Sequence, residues 1–161
     1  MKRHALVEGS SERKKILLIS SCGGHWIQMN RVLPAFNEHD VHFASTESTY
    51  GQLVPEGRFH CVPDSARDSN PIQIVHMALS VFWLLLKLRP SVVVSTGAAP
   101  GFFALFFGKC LRKKTVWIDS IANVHEVSMS GRKIAKFVDL YITQWEHLAR
   151  DDGPYYYGSV V

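Results

Sequence analysis

The sequence predicts an α/β fold built on a Rossmann-like, mainly parallel sheet. Three observations carry that prediction. Short apolar runs alternate with longer stretches of helical character. Two of the runs, Ile16-Leu17-Leu18-Ile19 and Ser91-Val92-Val93-Val94-Ser95, are nearly continuous, as in strands covered on both faces. Each of these two ends in a turn of small residues, Ser20-Ser21-Cys22-Gly23-Gly24 after the first and Thr96-Gly97-Ala98-Ala99-Pro100-Gly101 after the second.

Taken in order, residues 1–14 are polar and basic and read as a flexible arm. The strand at 16–19 follows. After the glycines, His25 opens a stretch in which Trp26, Met29, Leu33 and Phe36 recur at helical spacing. Pro34 lies late in that stretch and kinks or ends it. Residues 40–45 alternate and predict a second strand. Residues 46–57 are rich in Thr, Ser, Gly and Pro and read as a loop with room for a turn of helix. A short strand at 58–62 and a polar loop at 63–70 come next. Asn70-Pro71 starts a helix, with Asn as cap and Pro at the first helical position. That helix runs to about Arg89, and Pro90 stops it. The strand at 91–95 leads through its turn into 102–111, which is apolar on all sides and predicts a buried helix. Residues 113–118 predict another strand, with Asp119 and Ser120 at its carboxyl end. A short basic helix at 130–138, a core strand at 139–143 and a helical turn at 145–150 follow. Residues 155–161 close the chain.

A chain of 161 residues reads as one domain, here 15–161. It is long enough to bury roughly 70% of its unfolded surface. The net charge of +4 favours a negatively charged partner. Nucleic acid, an anionic membrane and a nucleotide-sugar all meet that description. The basic residues form no stripe interleaved with exposed aromatics, so nucleic acid is not expected. Cys22, Cys61 and Cys110 lack metal spacing and lie in or beside apolar runs. They read as buried free thiols in a reducing compartment. His39, His42, His60 and His76 are scattered and predict no metal site. The basic N-terminal residues are followed by a strand pattern and not by the apolar stretch of a signal peptide. No segment reaches the ~20 apolar residues that span a bilayer. The nearest, 72–88, contains Gln73 and His76 and is read as a buried helix with a basic end. The alternative for it, and for the apolar helix at 102–111 that runs into Lys109, Arg112, Lys113 and Lys114, is an apolar surface with a basic rim that rests on an anionic membrane or grips a lipid-linked substrate.

In a parallel sheet of this kind, ligands bind beyond the carboxyl ends of the strands, near a switch in strand order. That rule gathers His25, Thr96, Gly97, Asp119, Ser120 and Gln144 or Glu146 along one edge. A helix N-terminus above Gly23-Gly24 favours an anion, and His25 reaches the same ligand. A phosphate-bearing or sugar substrate over this turn is the central expectation. The plain alternative is a tight strand-to-helix turn with an incidental histidine. The turn is not the dinucleotide fingerprint, which needs G-x-G-x-x-G. Asp119 fits binding or structure better than catalysis.

Four segments in this order carry a resemblance. They are Ser-Ser-Cys-Gly-Gly-His (20–25), Ser-Thr-Gly-Ala-Ala-Pro-Gly (95–101), Trp-Ile-Asp-Ser-Ile-Ala-Asn-Val-His-Glu-Val-Ser-Met-Ser-Gly-Arg (117–132) and Asp-Leu-Tyr-Ile-Thr-Gln-Trp (139–145). Over 15–161 the chain resembles the acceptor-side subunit of split family 28 glycosyltransferases. Its relatives are bacterial polysaccharide-biosynthesis subunits and the dolichol-pathway N-acetylglucosaminyltransferase membrane subunit. The single-chain peptidoglycan N-acetylglucosaminyltransferase is a more distant relative.

The resemblance implies the N-terminal, acceptor-binding half of a GT-B enzyme, inactive without a donor-binding partner subunit. The implied reaction moves a sugar from a UDP-sugar to a polyprenyl-diphosphate-linked saccharide in polysaccharide biosynthesis. The implied location is peripheral, on the cytoplasmic face of the membrane, with no metal or cofactor. Family members of eukaryotes carry an N-terminal membrane anchor, and the polar arm here favours the bacterial type. By the motif match, His25 is the general base or a diphosphate contact. Ser21, Gly23, Gly24, Thr96, Gly97, Asp119 and Ser120 are implied binding positions. An imidazole, which ordinarily titrates near 6.5, suits base catalysis at neutral pH. Two other functions fit the residues: a non-catalytic membrane scaffold for a transferase, and a stand-alone nucleotide-binding domain.

Overall fold

The computed structural model describes residues 12–65 and 70–160. Most of the expected basic arm, residues 1–11, lies outside the described residues, as do 66–69 of the expected polar loop and Val161. The strands are β1 (Lys15–Ile19), β2 (Asp40–Ser45), β3 (Phe59–Cys61), β4 (Val92–Ser95), β5 (Lys114–Ile118), β6 (Leu140–Thr143) and β7 (Tyr155–Tyr156). They form one parallel sheet in the order β3-β2-β1-β4-β5-β6-β7. The order reverses direction between β1 and β4, where Ile19 is level with Ser95. The carboxyl ends of these two strands form the switch point.

The continuous apolar run of β1 follows from burial on both faces. Leu17 and Ile19 point to one side, with Val93 and Trp117, under Met77, Val81 and Leu85 of α2 (Pro71–Leu88). Ala104 and Leu105 of α3 (Ala98–Cys110) complete that core. Ile16 and Leu18 point to the other side, with Val94 and Ile118, under Trp26 and Met29 of α1 (Gly24–Val32). Burying each such side chain stabilises the fold by roughly 1.5–3 kcal/mol.

Boundaries depart from expectation where local chemistry is decisive. Pro34 ends α1 at Val32, and Leu33–Phe36 continues as a 3₁₀ turn. α3 starts at Ala98, not 102, because Gly97 with φ 137° turns the chain straight into the helix. The basic helix α4 spans Met129–Ile134, capped by Ser128, and Ala135–Phe137 tightens to 3₁₀. Asn70 caps α2 through its side chain, as expected.

Three expectations about burial are corrected. Cys22, Cys61 and Cys110 are all exposed, since they stand at a turn, a strand end and a helix end. α2 is buried along one side only. Ile72, Val75, Leu79 and Trp83 face outward, at 74%, 56%, 52% and 66% exposure. Four phenylalanines of α3, Phe102, Phe103, Phe106 and Phe107, are half-buried, so α3 is not sheathed on all sides. One pair of the scattered histidines also meets. His42 on β2 and His60 on β3 stack, with His42 Nδ1 3.2 Å from His60 Nε2. Among the described residues no group of three metal-ligating side chains forms.

Candidate functional site

Beyond the carboxyl ends of β1, β4 and β5 lies a cavity of ≈ 630 Å³. Of the residues the edge argument gathers, His25, Gly97, Asp119 and Ser120 line it, whereas Gln144 and Glu146 do not. Ile74 of α2 and Phe103 of α3 form an apolar wall, and Asn123, Ser128 and Ser130 supply polar groups opposite. Ser21, Gly23, Gly24 and Thr96 are not among its lining residues. The first three form the lip where α1 begins, and Thr96 is buried behind His25.

The histidine is held by two bonds to one residue. His25 Nδ1 lies 2.8 Å from the Thr96 carbonyl oxygen. A carbonyl accepts only, so Nδ1 carries the proton and the neutral ring keeps its lone pair on Nε2. The Thr96 hydroxyl donates in return to the His25 carbonyl at 2.7 Å. Gly97 leaves the room for the ring, because a β-carbon there would stand 2.4 Å from His25 Cε1.

Two helix N-termini flank His25. The first-turn N–H groups of α1 and α3 have no partner inside their helices. The dipoles of both helices favour negative charge at this spot. Not every donor of the glycine turn is available to a ligand. Gly23 N–H donates to the Tyr50 hydroxyl at 3.2 Å, and Cys22 N–H to Thr46 Oγ1 at 3.2 Å.

Asp119 does not present its carboxylate to the cavity as a free acceptor. Its Oδ1 accepts from Ser120 N–H (3.0 Å) and Asn123 Nδ2 (3.1 Å). Its Oδ2 accepts from Ser128 N–H (2.8 Å) and the Tyr141 hydroxyl (3.1 Å). Burial, and then the Asp119 charge, push the Tyr141 phenol above its ordinary range and keep it a donor. The carboxylate therefore shapes the 120–128 loop that forms one cavity wall. Gln28, which sequence reasoning missed, ties that loop to α1. Its Nε2 donates to the Asp119 carbonyl at 2.8 Å, and its Oε1 accepts from Ile121 N–H at 3.0 Å. The available signal was a glutamine lying between Trp26 and Met29 on the buried side of a helix.

Residues 44–160 match the family described as oligosaccharide biosynthesis protein Alg14 like. The chain belongs to that family. The Alg14-like chain is similar to the UDP-N-acetylglucosamine transferase subunit ALG14 of Candida albicans, with 27% identity over 94% of this chain and 84% of that one. It is 24% identical to the subunit of the same name from Yarrowia lipolytica, over 84% of this chain and 75% of that one. Among solved structures it resembles Acinetobacter baumannii MurG, with a TM-score of 0.72 at 10% identity over 91% of this chain. It also resembles the UDP-N-acetylglucosamine 2-epimerase of Rickettsia bellii, with a TM-score of 0.68 at 16% identity over 92% of this chain. The Alg14-like chain spans 45% and 46% of those two structures' lengths. These likenesses establish the α/β Rossmann-like fold.

Proposed function

We propose that this chain is the acceptor-binding subunit of a two-chain glycosyltransferase. The observation that carries the reading is the fixed His25 imidazole, with Nδ1 bound to Thr96 and Nε2 left to a cavity flanked by two helix N-termini. The names of the fungal relatives support a UDP-N-acetylglucosamine donor and a subunit role. A separate subunit supplies the donor-binding half, and the shared cleft forms over this cavity. The acceptor is a polyprenyl-diphosphate-linked saccharide at the cytoplasmic face of a membrane. Its diphosphate lies at the N-termini of α1 and α3, above Gly23, Gly24 and Gly97. Ser120 meets a sugar hydroxyl.

His25 acts as general base. The acceptor hydroxyl gives its proton to Nε2 as its oxygen bonds to the anomeric carbon. The bond from that carbon to the β-phosphate oxygen breaks, and UDP leaves with the electron pair. The imidazolium then returns the proton to solvent. Such a base contributes about 10²–10⁴-fold. Ser21 shapes the lip of the site. Thr96 and Asp119 position groups and do not touch substrate.

The test is reconstitution. The chain is purified alone and with its co-purifying partner, and each is assayed for transfer from UDP-N-acetylglucosamine to lipid-linked acceptor. Transfer by the pair and none by either chain alone is expected. Full activity of the isolated chain would overturn the two-chain reading.

A further inference from the structure

We propose that Asn123 selects the acceptor sugar: its side-chain oxygen accepts a hydrogen bond from a second sugar hydroxyl while His25 takes the proton of the attacking one. The proposal rests on the acceptor reading above. Asn123 lines the same cavity as His25. Its Nδ2 donates to Asp119 Oδ1 at 3.1 Å. A carboxylate only accepts, so the amide turns its nitrogen to Asp119 and its oxygen away. Among the described residues no group donates to that oxygen.

The other polar side chains of the cavity offer no fixed acceptor. The Asp119 carboxylate already takes four bonds. The Ser120 and Ser128 hydroxyl oxygens take the N–H groups of Ala122 (3.3 Å) and Gly131 (2.8 Å). A serine hydroxyl also rotates, and donates as readily as it accepts. What remains fixed is His25 Nε2 and Asn123 Oδ1. Two acceptors suit a ligand that brings two donors, as a sugar with two free hydroxyls does. A deoxy or ether position leaves one of them unmatched.

The amide is well supported. Asn123 N–H donates to the Ser120 carbonyl at 3.0 Å. Two residues earlier, Ile121 N–H donates to Gln28 Oε1 at 3.0 Å, and the Ile121 carbonyl accepts from Trp145 Nε1 at 2.9 Å. One residue later, the Val124 carbonyl lies 2.7 Å from His147 Nε2. A group held this way tells one hydroxyl position from another. A sugar lacking that hydroxyl loses the bond and still strips water from Oδ1, so the site discriminates against it.

Transfer by the reconstituted pair tests the proposal. The probes are soluble short-prenyl diphosphates of glucose, galactose and N-acetylglucosamine, and the monodeoxy derivatives of whichever transfers best. With the native chain, one deoxy position other than the attacking one should lower kcat/KM about tenfold. In Asn123→Ala the parent sugar should lose about as much, and that same derivative should lose no more. A uniform loss across all derivatives would make Asn123 a support for Asp119 and overturn the proposal. So would a deoxy penalty that persists undiminished in Asn123→Ala.

A second measurement needs neither partner nor folded variant. In the isolated native chain, the Asn123 side-chain amide resonances should shift with the parent headgroup and with every deoxy derivative but one. Equal shifts with all of them, or no binding of any headgroup, would overturn the proposal. The two readings fail separately. Transfer without the Asn123 coupling leaves the transferase reading standing and rejects the selector. The selective shift in a chain that supports no transfer leaves the sugar contact standing and rejects the transferase reading.

Discussion

The imidazole of His25 occupies the space that the missing side chain of Gly97 leaves open: a β-carbon at residue 97 would fall 2.4 Å from Cε1 and 2.5 Å from Nδ1. Gly97 also holds φ at 137°, a conformation that other residues rarely adopt. The glycine thus serves two ends at once, turning β4 into α3 and seating the ring against Thr96.

Gly97→Ala should therefore displace His25 and strain the turn. A loss of about 1–3 kcal/mol in unfolding free energy is expected, together with a drop in transfer of the size that His25→Ala produces. The double variant should be little worse in activity than either single one. Denaturant unfolding and transfer assays on the three variants check this. Full activity of Gly97→Ala would show that the ring does not need this seat.

The carboxylate of Asp119 accepts four hydrogen bonds in a buried site. In Asp119→Asn one oxygen becomes an amide that faces donors, either Ser128 N–H and Tyr141 or Ser120 N–H and Asn123. A destabilisation of roughly 2–3 kcal/mol is expected. Tyr141→Phe removes one donor and should cost less, about 1 kcal/mol. Unfolding by denaturant ranks the two, and an unchanged midpoint for Asp119→Asn would contradict the scaffold role.

How much of this was legible in the sequence depends on the range of the interactions. β1 and β4 were readable because burial on both faces leaves a continuous apolar run. The start of α2 was readable because Asn70 and Pro71 act within one turn. The exposed stripe of α2 was not, since large apolar residues recur on both sides of that helix and do not reveal which side is covered. The cysteines were misjudged for a related reason: an apolar neighbourhood in sequence says nothing about a position at a strand or helix end. Gln28 finds its partners 91 and 93 residues away, and Tyr141 meets Asp119 across 22 residues. Only the sheet order brings them together. The edge rule placed His25, Gly97, Asp119 and Ser120 around one cavity, while the chemistry of Asp119 depended on donors no motif names.

The histidine pair on β2 and β3 makes stability depend on pH. Burial lowers His42 below 6.5, helped by Lys15. Burial also lowers His60, helped by His42 and Lys87. As pH falls through 6.5, the unfolded chain binds protons that the folded one still excludes, so stability falls with it. The loss continues until pH passes the lowered folded values. Denaturant midpoints should drop from neutral to mildly acidic pH, and His60→Gln should flatten the slope. A profile that is flat in the native chain would contradict the pairing.

Gln28→Ala should leave the Asp119 carbonyl and Ile121 N–H without their buried partner, at a cost of roughly 2 kcal/mol. Because the 120–128 loop forms a cavity wall, KM for the acceptor should rise more than kcat falls. Steady-state kinetics of the reconstituted pair decide it, and an unchanged KM would detach the loop from binding.

The most direct measurement is transfer by the reconstituted pair with His25→Ala in this chain, alongside a check that the two subunits still associate. The account predicts a loss of about 10²–10⁴-fold in kcat with the complex intact. Undiminished transfer would contradict it, and would leave this chain as a scaffold whose glycine turn holds a histidine with no part in the reaction.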